Sequence, residues 1–480
     1  MTTTATTAAM PSVAPPIDPG VALPLVEWGN LALRAGRLGP IYPHMSWLQR
    51  FDSRLSREEL QTEIRRIGTT PYGFGRRLVS SRIPAGRSRW IQFSNLPELE
   101  LEPEPVEDWR AWIDSKLGRR LDPEYDAGWA FLACYTPEGG TVVLVLMHHL
   151  FGTARGVMDA IFNGDAHDPL TGSTGLTFTR ENNFGLLDEV RGIFQRIRMG
   201  FVGAAQLVVA APRLIRGALS APAPSAPGLP TPLRGPRGED PSREPLSDDR
   251  VHARYETTSD RLDFIAAHHN GTANTLLTAV CANLLRRARI ARGGPIDRPL
   301  QLLLPIDLPD EVKRAKLQER GKDPSAEGMM VTAAVVLEGG PPIHGDLALM
   351  RARMKEAYIA DTKTAPAVRG AGDFLRLFPE RVAYFFAAKA AVNFDGCVSN
   401  VGELPAEFEY LGDRQATAAE MIGFPIGNEM IAAITRSGGN VAMTFVTDPA
   451  RMGDESDLRT WLAEELAHWG IDAPIPSTTT

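Results

Sequence analysis

TVVLVLMHHLFGTARGVMD, residues Thr141 to Asp159, is the stretch from which the fold is read. Thr141 to Met147 is an uncharged β-branched and aliphatic run of strand length, which predicts a buried strand rather than a surface one. It ends in two imidazoles, His148 and His149. Small residues follow (Gly152, Ala154, Gly156), and then Val157, Met158, Ala160, Ile161 and Phe162 fit one face of a short helix. A core strand that delivers histidine into a glycine-containing turn places a general base where packing fixes its rotamer. Neighbouring side chains on a strand point to opposite faces, so one imidazole can serve a given site while the other is structural. On the residues alone two readings of the pair stay open: a base, or buried histidines that only satisfy their hydrogen bonds.

Working outward, 480 residues exceed one ordinary core and predict two or three domains. A hydrophobic content of 43% with 23% charged residues is that of a globular protein in water. The net charge of -7, with both signs mixed along the chain, leaves no face built for polyphosphate, so no nucleic-acid partner is expected. Cys134, Cys281 and Cys397 lie far apart without a C-x-x-C, so neither a disulfide framework nor a zinc site is expected, and reduced cytoplasmic thiols are the simple reading. The N-terminal twenty residues lack a basic n-region and an apolar h-region, and no run approaches the roughly 20 apolar residues of a spanning helix.

In chain order, Leu23 to Phe51 is rich in apolar and aromatic residues with little period and reads as a lead-in packed on a domain surface. Ser56 to Ile67 reads as a helix, with Ser56 as N-cap and Glu59 three residues on. RRLVSSRIP and RWIQF carry strand signals, Val106 to Leu117 is helical, and Trp129 to Tyr135 pairs with Thr141 to Met147 as a hairpin. Leu186 to Leu219 has Leu186, Val190, Ile193, Phe194, Ile197 and Phe201 at helical spacing among arginines. It reads either as an inter-lobe helix on the core, the preferred reading, or as an interfacial helix on a lipid surface. The Pro-rich stretch APAPSAPGLPTPLRGPRGEDPSREP, residues 221–245, is a linker.

Beyond the linker, helices are expected at Asp260 to His268, Thr275 to Ile290, Asp346 to Ile359, Val382 to Ala391 and Ser456 to Trp469. Strands are expected at Leu300 to Ile306, Met329 to Leu337, Cys397 to Gly402, Met430 to Arg436 and Asn440 to Asp448. The expected class is therefore α/β (α+β), two lobes, each a mixed sheet flanked by helices. The expected division is a disordered 1–20, a first lobe 21–185, the helix and linker 186–250, a second lobe 251–472 and a disordered 473–480.

A second pair, His268-His269, sits at a helix end before Asn270-Gly271 and reads as ordinary helix-terminal chemistry. No G-x-S-x-G, G-x-G-x-x-G, Walker A loop or H-E-x-x-H is present, which removes serine hydrolysis, dinucleotide binding and zinc proteolysis from the leading readings. A general base acting in a non-covalent complex remains.

The histidine pair after a hydrophobic strand resembles the HHxxxDG motif of the CoA-dependent acyltransferase superfamily, which includes chloramphenicol acetyltransferase, peptide-synthetase condensation domains and the bacterial wax ester synthase/diacylglycerol acyltransferases. The last family is the nearest resemblance, because it runs over most of the chain. GRRLVSSRIPAGRSRWIQF (75–93) resembles its P-x-x-R-R-L-V…W segment, and LDPEYDAGWAF (121–131) its L-D-x-x-x-P-L-W segment. PTPLRGPRGED (230–240) resembles the post-linker T-x-L-N-G, and GTANTLLTAVCANLLRRA (271–288) the T-V-N-D-V-V-L-A helix. LLLPIDL (302–308), CVSNVGELP (397–405) and VAMTFVTDPARMGD (441–454) resemble three later segments, one of them S-N-V-P-G-P.

The resemblance implies two chloramphenicol-acetyltransferase-like lobes meeting at a channel, with CoA and acceptor entering from opposite ends. It implies His149 as general base, taking the proton of an acceptor hydroxyl as the oxygen attacks an acyl thioester, with His148 in support. Ser399 and Asn400 are the implied oxyanion donors, with Asn274 lining the channel. No bound cofactor and no metal are implied; acyl-CoA is the co-substrate, a lipid or alcohol the acceptor, and a peripheral membrane or lipid-body contact is compatible.

The chain departs from the family where HHxxxDG has aspartate and glycine: here stand Thr153 and Ala154, followed by Arg155 and Gly156. Thr275 replaces the N-D aspartate, and Ala127-Gly128-Trp129 stands for P-L-W. In the family that first aspartate pairs with an arginine and holds the loop. The expected function is transfer of a fatty acyl group from acyl-CoA to a lipid or alcohol hydroxyl, of wax ester or triacylglycerol type. The alternatives are an impaired relative that binds acyl-CoA or lipid, and transfer to a sugar or polyketide hydroxyl.

Overall fold

The structure, a computed structural model, describes residues 23–24, 44–70, 74–80, 89–92, 96–152, 154–162, 249–307, 330–359, 378, 394–423 and 429–471, with scattered positions between 190 and 205. Its strands, in order, are β1 (Leu23–Pro24), β2 (His44–Phe51), β3 (Arg76–Val79), β4 (Arg89–Gln92), β5 (Leu99–Leu101), β6 (Trp129–Tyr135), β7 (Thr141–His148) and β8 (Val251–Thr258). There follow β9 (Leu300–Asp307), β10 (Met330–Leu337), β11 (Gly396–Glu403), β12 (Tyr410–Leu411), β13 (Arg414–Gln415), β14 (Ala418–Ile422), β15 (Met430–Ser437) and β16 (Asn440–Thr447).

All eight positions of β7 are buried, as its uncharged sequence predicts, and it sits at the centre of a five-stranded sheet of order β14-β2-β7-β6-β5. Its two faces enter different cores. Val143, Val145 and Met147 pack with Trp47, Phe131 and the apolar side of the Arg57–Gly68 helix. Val142, Leu144 and Leu146 pack with Trp112, Ile113 and Leu117 of the Trp109–Leu117 helix. The same cluster takes in Cys397, Ile422, Ile431 and Val446 from the second half of the chain, so β7 is buried between a helical layer and the other sheet.

That second sheet has six strands in the order β10-β9-β11-β15-β16-β8 and is mixed, with β9, β11 and β15 parallel and the rest antiparallel. The Ala273–Ala291 helix, buried along most of its length, covers one face with the Glu455–His468 helix and the helical stretch 348–359. Helix starts follow the sequence signals: Ser56 and Glu59 form a reciprocal capping box, with Ser56 Oγ accepting from Glu59 N–H at 3.2 Å and Ser56 N–H donating to Glu59 Oε2 at 2.7 Å. The stop at Asn270-Gly271 is also where expected: Asn270 has φ 59° and the Gly271 N–H donates to the Ala266 carbonyl at 2.8 Å. His269 caps that helix and packs edge-on against Trp469, which is a structural role.

One expectation fails. The end of the supposed surface lead-in, His44–Phe51, is strand β2, buried between β14 and β7. Both its faces are covered, so it shows no amphipathic period, and its polar residues looked like surface residues. In fact Gln49 donates to the Phe408 carbonyl at 2.6 Å and Ser46 to the Ile422 carbonyl at 3.4 Å, satisfying buried groups from the far end of the chain. Its neighbour β14 comes from residues 418–422, so the C-terminal half donates an edge strand to the first sheet. The termini, the Pro-rich linker, the helix expected at Val382 to Ala391 and Thr153 lie outside the described residues. Among the described residues no helix is long and apolar enough to cross a membrane.

Candidate active site

β7 carries His148 to the end of the sheet, where its N–H donates to the Gly128 carbonyl at 2.9 Å. Gly128 has φ +70°, and a Cβ there would meet Pro123 Cβ at 2.7 Å and Phe151 Cε2 at 3.0 Å, so only glycine lets the two segments approach. His148, 1% exposed, lies directly across from His44 on β2, with the two rings edge-on at 5.8 Å. His148 is also the N-cap of a 3-10 turn, His149–Phe151, its Nδ1 accepting from the Leu150 N–H at 3.2 Å. A ring nitrogen that accepts carries no proton, so His148 is held as the neutral tautomer protonated on Nε2.

His149 opens that turn and is half-buried. Desolvation lowers its pKa below the ordinary 6.5, with its own backbone partly opposing this. Burial thus favours the neutral imidazole, which is the state a general base needs. The turn itself is anchored by Leu150 and Phe151, both buried, and ends at Gly152 with φ 151°. Next comes the Ala154–Phe162 helix, whose Val157, Met158 and Ile161 sit in the first core. Arg155 and Gly156 belong to its backbone.

This helix packs beside β11, the strand that carries Ser399 and Asn400. Ser399 is half-buried and shares a strand face with Cys397, which joins the core between the sheets. Asn400 is exposed at a register shift in β11, and its Oδ1 accepts from the Gly402 N–H at 2.9 Å, which leaves its amide N–H groups as donors. No hydrogen bond joins His149 to Ser399, Asn400 or Asn274 among the described residues.

Asn274 lies in the first turn of the Ala273–Ala291 helix and donates to the Tyr358 hydroxyl at 3.0 Å. Thr275, at the position of the family aspartate, is buried, and its hydroxyl lies 2.8 Å from that of Thr272, the helix N-cap. Threonine there still completes the helix start without a charge. Two residues escaped the sequence reading. His44 fell in the segment taken for surface, and Arg76, matched to the R-R-L-V segment, was given no role; burial distinguishes both. Among the described residues no three His, Cys, Asp or Glu side chains are grouped to hold a metal.

No family model matches the chain, and no curated protein sequence matches it. Its structure is similar over nearly its whole length to several solved ones. A wax ester synthase/diacylglycerol acyltransferase from Marinobacter aquaeolei VT8 is 16% identical with a TM-score of 0.56, covering 94% of this chain and 99% of that one. The condensation domain of the Monacolin K polyketide synthase MokA is 12% identical with a TM-score of 0.52, covering 94% and 97%. A starter condensation domain of rhizomide synthetase RzmA, in a product-released conformation, is 12% identical with a TM-score of 0.51, covering 95% and 97%. The chain thus has the two-lobed, chloramphenicol-acetyltransferase-like fold that the wax ester synthase/diacylglycerol acyltransferases share with the condensation domains.

Proposed function

We propose that the protein is an acyl-CoA-dependent acyltransferase that moves a fatty acyl group to the hydroxyl of a lipid or long-chain alcohol, with His149 as general base. The observation that supports this reading is the imidazole of His149, its pKa lowered by burial, on a capped turn at the end of a core strand and followed by a helix that packs against β11. In the reaction the acceptor oxygen attacks the thioester carbonyl while His149 takes its proton. The tetrahedral oxyanion is met by the Ser399 hydroxyl, on the face of β11 that it shares with Cys397, while Asn400 belongs to the opposite face of that strand. Collapse breaks the C–S bond, and the His149 imidazolium returns its proton to the CoA sulfur. The similar RzmA domain has been crystallised with C8-CoA and Leu-SNAC, which supports acyl-CoA as the donor on this shared fold.

Contact with a lipid surface fits the same reading. Val190, Phe194, Ile197 and Phe201 are all exposed, at spacings of one helical face, with Arg191, Arg196 and Arg198 interspersed in sequence. A second reading, an acyl-CoA-binding relative without transfer, is favoured by two features: Asn274 is engaged by Tyr358, and Thr153 and Thr275 stand where the family has carboxylates. Incubation with labelled palmitoyl-CoA and a panel of hexadecanol, diacylglycerol and a sugar separates these. Saturable CoA release that requires hexadecanol or diacylglycerol supports transfer to lipid; saturable binding without acceptor-dependent release supports the second reading.

A further inference from the structure

Arginine seldom enters a core, because burying a guanidinium is costly unless its donors and its charge are met. Arg76 on β3 is 0% exposed. Its guanidinium lies 4.7 Å over the Trp90 ring of the neighbouring strand β4 and 5.9 Å from the Phe151 ring. Its Nη2 donates to the Phe151 carbonyl. Phe151 is the last residue of the turn that begins with His149, and its own ring is gripped by Phe74 at 5.1 Å and Trp90 at 5.3 Å. Phe74 stacks in turn on Trp129 at 4.5 Å, beside Gly128.

A turn's final carbonyl has no partner within the turn, and a charge-assisted donor fixes it more firmly than a neutral one. Where the resembling family holds this loop through a carboxylate, the chain has Thr153, and here the arginine reaches the loop's backbone. We propose that Arg76 is a positioning residue for His149: held over Trp90, it clamps the Phe151 carbonyl and so fixes the turn that aims the imidazole. This rests on the proposed role of His149 as base. Arginine rather than lysine is required, because only a planar guanidinium can stack on an indole face and donate in its own plane.

The test compares wild type with R76K and R76M in two independent measurements. The first is carbethoxylation of His149 by diethylpyrocarbonate as a function of pH, quantified on the His149 peptide in the folded fraction. It needs no turnover. In R76K and R76M the labelling midpoint is expected to rise from below 6.5 to about 6.5, as water reaches a loosened turn. The second is acyl transfer, in which kcat is expected to fall about 10- to 100-fold with the KM for acyl-CoA nearly unchanged. An unchanged midpoint in folded R76K overturns the proposal, as does a fall in melting temperature with no change in His149. If wild type transfers no acyl group, the proposed function fails while the labelling result still decides the role of Arg76.

Discussion

At the scale of the residue, the two histidines of one dipeptide do different things because the strand ends between them. His148 is still part of β7 and uses its ring to cap the turn, while His149 is already on the turn. Replacing His148 by phenylalanine keeps a ring but leaves the buried Leu150 N–H without its acceptor. Urea denaturation should show a loss of about 1–3 kcal/mol. For His149, desolvation favours the neutral imidazole, so the acid limb of kcat/KM should lie below 6.5. An ordinary imidazole is only about one-tenth neutral at a pH one unit below its pKa. Activity at pH 5.5 should therefore exceed about a tenth of its plateau value. A limb centred at or above 6.5 would show that water reaches the ring freely.

At the scale of the element, β14 holds the two halves of the chain together. Glu420 on β14 is 0% exposed and pairs with Arg254 on β8 of the other sheet, which also reaches Glu256. Burial pushes the Glu420 carboxyl up, and Arg254 pulls it back. Arg254→Met should cost about 3–5 kcal/mol by stranding that carboxylate, and the double variant with Glu420→Leu should recover most of the loss. Denaturation of the single and double variants measures both; equal stability of the two would show that the pair is solvated.

The same elements show what the sequence could and could not reveal. β7 was legible because an uncharged run has no other home, and the Arg57–Gly68 helix because Ser56 and Glu59 mark its start locally. β2 was not, since its partners are β7, almost a hundred residues on, and β14, more than 350 residues on, and no local period records such pairings. The histidines of the site announced themselves at a strand end. Arg76 matched the R-R-L-V…W segment without revealing its burial, because arginine in a strand signals exposure and the rings that bury it, Trp90 and Phe151, come from other elements.

At the scale of the whole molecule, three buried groups with large shifts shape the pH response. Burial lowers His44 and His252 to about 3, while it raises Asp114 to about 8. His252 and Asp114, 4.0 Å apart, are therefore both uncharged near neutrality and form a neutral contact between the Trp109–Leu117 helix and β8. Histidines with depressed values stabilise the fold above 6.5 and lose that contribution as pH falls towards 3. An aspartate with a raised value does the reverse, losing its contribution as pH rises from 3.8 to 8.

Between 3.8 and 6.5 the two histidines outweigh the one aspartate, so for these groups the unfolded chain binds more protons and stability should rise with pH. Above 6.5 the aspartate acts alone and the sign reverses. Thermal unfolding across pH should peak near 6.5; a plateau from pH 5 to 8 would mean that these groups are hydrated in the folded state.

Under the proposed function, His149 performs proton transfer in acyl transfer from CoA. The most direct test of this role is acceptor-dependent CoA release from labelled palmitoyl-CoA and hexadecanol by wild type and by His149→Ala, at matched concentrations of folded protein. A fall of about 10²- to 10⁴-fold in kcat is expected, with the fold and acyl-CoA binding retained. An unchanged rate in folded His149→Ala would contradict it.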